Sequence, residues 1–115
     1  MANEERRRIV TYIGATGRKL RFQMRDPGTG IAVDLSALVS ATISAQSIAG
    51  DAYEIEAASM TIEAGTDGWL YFYPTAGQVD AKADLISQIR LVYASDVDFC
   101  DEFIIEVRTP RHYTA

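Results

Sequence analysis

A chain of 115 residues can bury one self-sufficient core but not two. With 48% hydrophobic and 23% charged residues it excludes wholesale disorder, and a net charge of −5 argues against a general nucleic-acid binder, whose phosphate contacts need a basic surface. One cysteine, Cys100, excludes an intramolecular disulfide and a thiolate metal cluster.

The first ten residues, MANEERRRIV, carry charges where a signal peptide needs an apolar run. No stretch approaches the ~20 apolar residues of a membrane span. The expectation is a protein made in the cytoplasm, soluble there and without a membrane partner. Arg6, Arg7 and Arg8 form a basic run whose field Glu4 and Glu5 partly offset. It reads either as a solvated terminus or as an electrostatic dock for an acidic partner. Residues 1–8 are assigned as an N-terminal arm, 9–109 as the folded domain and 110–115 as a C-terminal tail.

Residues 9–13 (IVTYI) are β-branched and aromatic, and they end at Gly14. In residues 18–25, Lys19, Arg21, Gln23 and Arg25 alternate with Leu20, Phe22 and Met24. Period two predicts a half-buried strand with a basic outer face. The run Asp26-Pro27-Gly28-Thr29-Gly30 predicts a reversal, with 31–35 as a short return strand of the same hairpin. Residues 38–48 alternate through Ala41, Ile43 and Ala45, and Gly50-Asp51 breaks them. Further strands are predicted at 52–57 and 60–63, followed by a turn at 64–68. Residues 69–73 (WLYFY) are the most β-prone run and stop at Pro74. Residues 75–85 alone have helical character, and Gly77 together with a thin apolar face limits them to a single turn. Residues 85–93 alternate, with Ser87, Ile89, Leu91 and Tyr93 on one side. Residues 103–108 (FIIEVR) close the domain before Pro110.

Seven or eight short strands separated by Gly-rich turns predict an all-β antiparallel sandwich rather than a parallel α/β fold. Leu20, Phe22, Met24, Ile43, Ile89, Leu91, Phe103, Ile105 and Val107 occupy the apolar phase of their strands and are expected to share its core.

The residues that could carry chemistry are few. The one histidine, His112, lies in the tail, whereas a general base must be held within reach of its nucleophile. Asp96, Asp98, Asp101 and Glu102 surround Cys100 and would raise its thiol pKa, which argues against a reactive nucleophile. The same acidic run resembles the start of a calcium loop but lacks the glycine of the sixth position, so it reads as a solvated hairpin loop. Asp80 and Asp84 read as a surface turn, and Gly65, Gly68 and Gly77 make no phosphate loop. No catalytic residue, metal ligand or cofactor is assigned.

Trp69, Tyr71 and Tyr73 share one face of their strand, opposite Leu70 and Phe72. Whichever face turns inward, the other leaves an apolar or aromatic patch outside. That patch suits burial against another subunit, glycan stacking, or cross-strand packing within the monomer. In the tail, Arg111 and Tyr113 are residue types common at interfaces. One or both arms are expected to be ordered only against a neighbouring subunit.

The order TGRKLRFQMRD, glycine turn, IAVDLS, alternating strand, DGWLYFYP and FIIEV resembles the N-terminal immunoglobulin-like domain of tailed-phage baseplate upper proteins and related small virion domains. Thr16-Gly17, Asp26, Gly30, Val33-Asp34-Leu35-Ser36 and Asp67-Gly68 carry the match, over about residues 9–109. Lys82-Ala83-Asp84-Leu85 departs from the Gly-x-Tyr that often opens the penultimate strand, and no counterpart of the family's long receptor-carrying C-terminal part is expected. The resemblance implies an immunoglobulin-like sandwich, a non-enzymatic role in a virion, other virion proteins or further copies of the chain as partners, and no cofactor. A tail, baseplate, neck or fibre-attachment adaptor fits, as does a capsid decoration protein of the same fold. A carbohydrate-binding module using the aromatic strand is the expectation from a different class.

Overall fold

The computed structural model describes residues 7–26, 28–48, 50 and 53–111. Among them the chain forms nine strands: β1 (Arg8–Tyr12), β2 (Leu20–Gln23), β3 (Leu38–Ser47), β4 (Tyr53–Ser59), β5 (Thr61–Ala64), β6 (Trp69–Phe72), β7 (Ala83–Tyr93), β8 (Val97–Phe99) and β9 (Phe103–Arg108). Two 3₁₀ turns, Gly65–Asp67 and Ala76–Val79, interrupt them. The second is the single turn expected near residue 77. Gln78 Oε1 accepts the Thr75 N–H at 2.8 Å there, and Val79 is driven into the core.

The strands form two sheets. The larger has the order β1-β9-β7-β3-β4, with β8 also on β7; the smaller has the order β2-β6-β5. The small sheet packs on the larger one over a shared core, a β-sandwich. One pairing departs from an antiparallel sandwich: β1 runs parallel to β9, with Ile9 opposite Ile105 and Thr11 opposite Val107. The two strands come from opposite ends of the chain, so no tight turn imposes antiparallel pairing on them.

All nine residues assigned to the core from their phase are buried. Phe22 of β2 meets Phe103 of β9 with ring centroids 5.0 Å apart, joining the two sheets. Thr11 is also fully buried, and its hydroxyl oxygen has no hydrogen-bond partner.

Three local expectations are corrected. The turn after β2 forms, with Asp26 Oδ1 accepting the Gly28 and Thr29 N–H groups, but 31–35 is not a full strand. It contributes one bridge, Ala32 to Arg25, and then buries Leu35; the true partner of β2 is β6. Residues 97–99, read as loop, form β8 against Arg90–Val92 of β7. The assigned arm gives up its last residue to the sheet, because Arg8 opens β1 and the Arg7 carbonyl accepts the Ile104 N–H at 2.8 Å.

Candidate functional site

In β6 the side chains of Leu70 and Phe72 point into the core, so Trp69, Tyr71 and Tyr73 face outward. β2 lies beside β6 with Arg21 opposite Tyr71 and Gln23 opposite Trp69. The basic face of one strand is therefore laid against the aromatic face of the other. The Arg21 guanidinium carbon sits 3.9 Å from the Trp69 ring centroid, and Lys19 Nζ sits 4.5 Å from that of Tyr71. Such stacking is attractive because the ring faces carry partial negative charge. Tyr73 meets Tyr71 edge-on at 5.9 Å and is the one of the three rings left mostly open, at 52% exposure.

A single carboxylate organises the cations. Arg21 Nε donates to Glu63 Oε1 at 2.8 Å, and Lys19 Nζ stands 3.6 Å from the same oxygen. The Arg21 hydrogen bond holds the Glu63 carboxyl below the ordinary glutamate range. Gln23 Nε2 donates to the Asp67 carbonyl at 2.9 Å, pinning the turn that leads into β6.

On the outer face of the larger sheet, register puts Val97 opposite Val92 and Phe99 opposite Arg90. Ser40 is also opposite Val92, and Val39 occupies the bulge beside it. Val39, Val97 and Phe99 are 66%, 48% and 54% exposed; Asp98, opposite the buried Leu91, lies on the other face of β8. Period-two alternation in Val97-Asp98-Phe99 was available as a signal for this strand. A strand whose apolar side chains face outward, however, carries no burial pattern that singles it out.

Cys100 lies just beyond β8. Its Sγ accepts the Ile89 N–H at 3.2 Å and donates to the Asp101 carbonyl at 3.1 Å. Burial first, and then the Asp101 charge, push the thiol pKa up, while the bond from Ile89 opposes them. A thiol so placed is a poor nucleophile. Among the described residues no cluster of three or more His, Cys, Asp or Glu could hold a metal ion. Among them, too, no helix is long and apolar enough to cross a membrane.

The remaining residues singled out from the sequence are dispersed. Arg8 reaches Asp84 at 3.5 Å and Glu106 at 3.3 Å, and Arg108 donates to Glu106 at 2.9 Å, on the far side of the fold from Trp69. Arg7 borders a cleft of about 430 Å³ between the sheets, and Arg111 is exposed. Arg6, His112 and Tyr113 lie outside the described residues. The cleft escaped sequence reading because Phe22, Met24, Leu91 and Phe103, which line it, have the signature of ordinary core residues. In comparisons with known proteins, no family model matches the chain and no curated protein matches it.

Proposed function

We propose that this chain is a non-enzymatic structural subunit of a tailed-phage virion, an assembly or adaptor module of the tail, baseplate, neck or fibre attachment, present in several copies. The observation that carries the reading is the distribution of apolar surface. Val39 of β3 and Val97 and Phe99 of β8, strands that both pair with β7, stand outside the core on one sheet, and Tyr73 extends the aromatic row of the other. Exposed apolar groups of this size on a small domain mark surfaces that another protein covers. The likeness of the turn and core residues to baseplate immunoglobulin-like domains supplies the virion context. Capsid decoration uses the same surfaces and the same fold. The glycan reading is weaker, because a sugar stacking on Trp69 or Tyr71 would first have to displace Arg21 and Lys19 from their rings.

The test is incorporation. Gradient-banded particles should contain the chain at more than one copy. Phe99→Glu and removal of residues 1–6 with 112–115 should each lower its occupancy while the isolated domain keeps its β-sheet circular dichroism. Absence of the chain from purified particles would overturn the reading.

A further inference from the structure

Three strands face six in this sandwich, and the shortfall lies beside β2. Among the described residues β2 pairs with β6 alone, so its other edge is open. The hydrogen-bond phase is set at Met24, whose N–H donates to the Gly68 carbonyl at 2.8 Å. Residues two apart point the same way, so Leu20 and Phe22 also bond towards β6. The N–H and C=O groups of Arg21 and Gln23 then point to the open side.

The cleft of about 430 Å³ runs between the sheets at this edge, lined by Phe22 of β2, Met24 just beyond it, Leu91 and Phe103. Its charged lining is mixed, Arg7 and Arg25 with Asp26, Asp98 and Asp101, so a ligand's acidic groups belong on the outer face of β2 and its apolar ones in the cleft. Unpaired backbone groups beside an apolar slot are the two halves of a strand-binding site. In a molecule of net charge −5, four cations (Arg18, Lys19, Arg21 and Arg25) line this strand and its ends. Glu63 answers Lys19 and Arg21 from the opposite edge of the sheet.

We propose that the open edge of β2 is a strand-acceptor site. Its ligand is an extended segment of a partner protein in which apolar side chains alternate with acidic ones. The segment adds a fourth strand to the small sheet. Its amide and carbonyl groups bond to Arg21 and Gln23, its apolar side chains enter the cleft beside Phe22 and Phe103, and its carboxylates lie alongside Lys19 and Arg21. The inference deepens the assembly reading and rests on it only in taking the partner to be a protein.

The experiment uses the full chain and two synthetic peptides of about eight residues, a usual strand length. One alternates valine with glutamate and the other valine with lysine. Amide exchange is followed by NMR, and affinity by calorimetry. The glutamate peptide should bind about tenfold more tightly than the lysine peptide, as expected for two charge pairs turned from attractive to repulsive. It should slow exchange at the Arg21 and Gln23 amides. Gln23→Pro deletes an N–H that serves no bond to β6, together with the side-chain bond to the Asp67 carbonyl, so it is compared with Gln23→Ala, which loses the side-chain bond alone. The proline variant should abolish binding and the alanine variant should keep it. If the proline variant fails to fold, the exchange measurement on the unmodified chain decides the matter. Three results would each overturn the proposal: no binding of the glutamate peptide at millimolar concentration, binding without protection of Arg21 and Gln23, or slow exchange of both amides in the free chain, which would mean the edge is already covered. Particle incorporation plays no part in this readout, so the proposal and the virion reading can fail separately.

Discussion

Arg21 is the most heavily used side chain on the small sheet, stacked on Trp69 and bonded to Glu63 at once. Because the pair is exposed, its worth is modest. Arg21→Ala should cost about 1 kcal/mol in urea unfolding and shift Trp69 emission to the red, since the guanidinium covers the ring. Unchanged emission would show that the stacking is not maintained in solution. The same contact links stability to pH. The folded-state pKa of Glu63 is depressed, so its pairing contributes fully above the ordinary glutamate range and is lost as the pH falls through the depressed value. Glu63→Gln should therefore be less stable than the natural chain at neutral pH. The difference should close as the solution is acidified below about pH 4, near the ordinary glutamate pKa. Thr11 presents the reverse case, a buried hydroxyl without a partner. Thr11→Val keeps the shape and removes the desolvation cost, so it should raise stability by about 1 kcal/mol in thermal or urea melts.

Among the elements, the junction of β2, the 31–35 segment and β6 has the least room. Gly68 has a φ of +76°, and a Cβ placed there would lie 2.6 Å from the Met24 carbonyl oxygen and 3.0 Å from that of Val33. Both obstacles are backbone and cannot swing away. Gly68→Ala should cost at least about 2 kcal/mol from positive φ and crowding together, read as a lowered urea midpoint at unchanged slope. The glycine was visible in the sequence as the end of a turn. Its crowding was not, because Val33 and Met24 are brought to it only by tertiary pairing. β8 was missed for a related reason: its stability comes from pairing with Arg90–Val92 rather than from burial of its own side chains. A second non-local device is the bulge in β4, where Ala57 adopts a φ of +48° and its N–H donates to Ser44 Oγ at 3.0 Å.

At the scale of the whole molecule, the two sheets are held by interdigitated side chains such as Phe22 and Phe103. Phe22→Ala should cost ~3–5 kcal/mol, since it removes a buried ring that spans the sheets. In a domain of ordinary stability this would leave little margin, and the readout is the midpoint of urea unfolding followed by circular dichroism. A loss below about 1 kcal/mol would mean that the cleft beside Phe22 lets the core collapse around the vacancy. The unequal sheets also give the molecule two unlike outer faces. A cationic, aromatic face lies over the small sheet, and an apolar corner of Val97 and Phe99 lies at β8.

Alternation by itself determined which way most side chains point. In β2 only one phase is apolar, and in β3, β7 and β9 one phase is the more apolar despite Leu38, Ile86, Val92 and the buried Ile104 in the other, so burial favours a single solution. The turn residues likewise placed most strand ends within a residue or two. In β6 both phases are apolar or aromatic, so hydrophobicity could not choose between them. Tertiary structure chose Leu70 and Phe72 for the core because the basic side chains of β2, which must stay near water, lie on the same face as Trp69 and Tyr71 and stack on them. Strand partners were also beyond the sequence pattern, since period two encodes a face and not a neighbour. The parallel seat of β1 on β9, the pairing of β2 with β6 and the open edge that results are decided by how two sheets of unequal width close over one core.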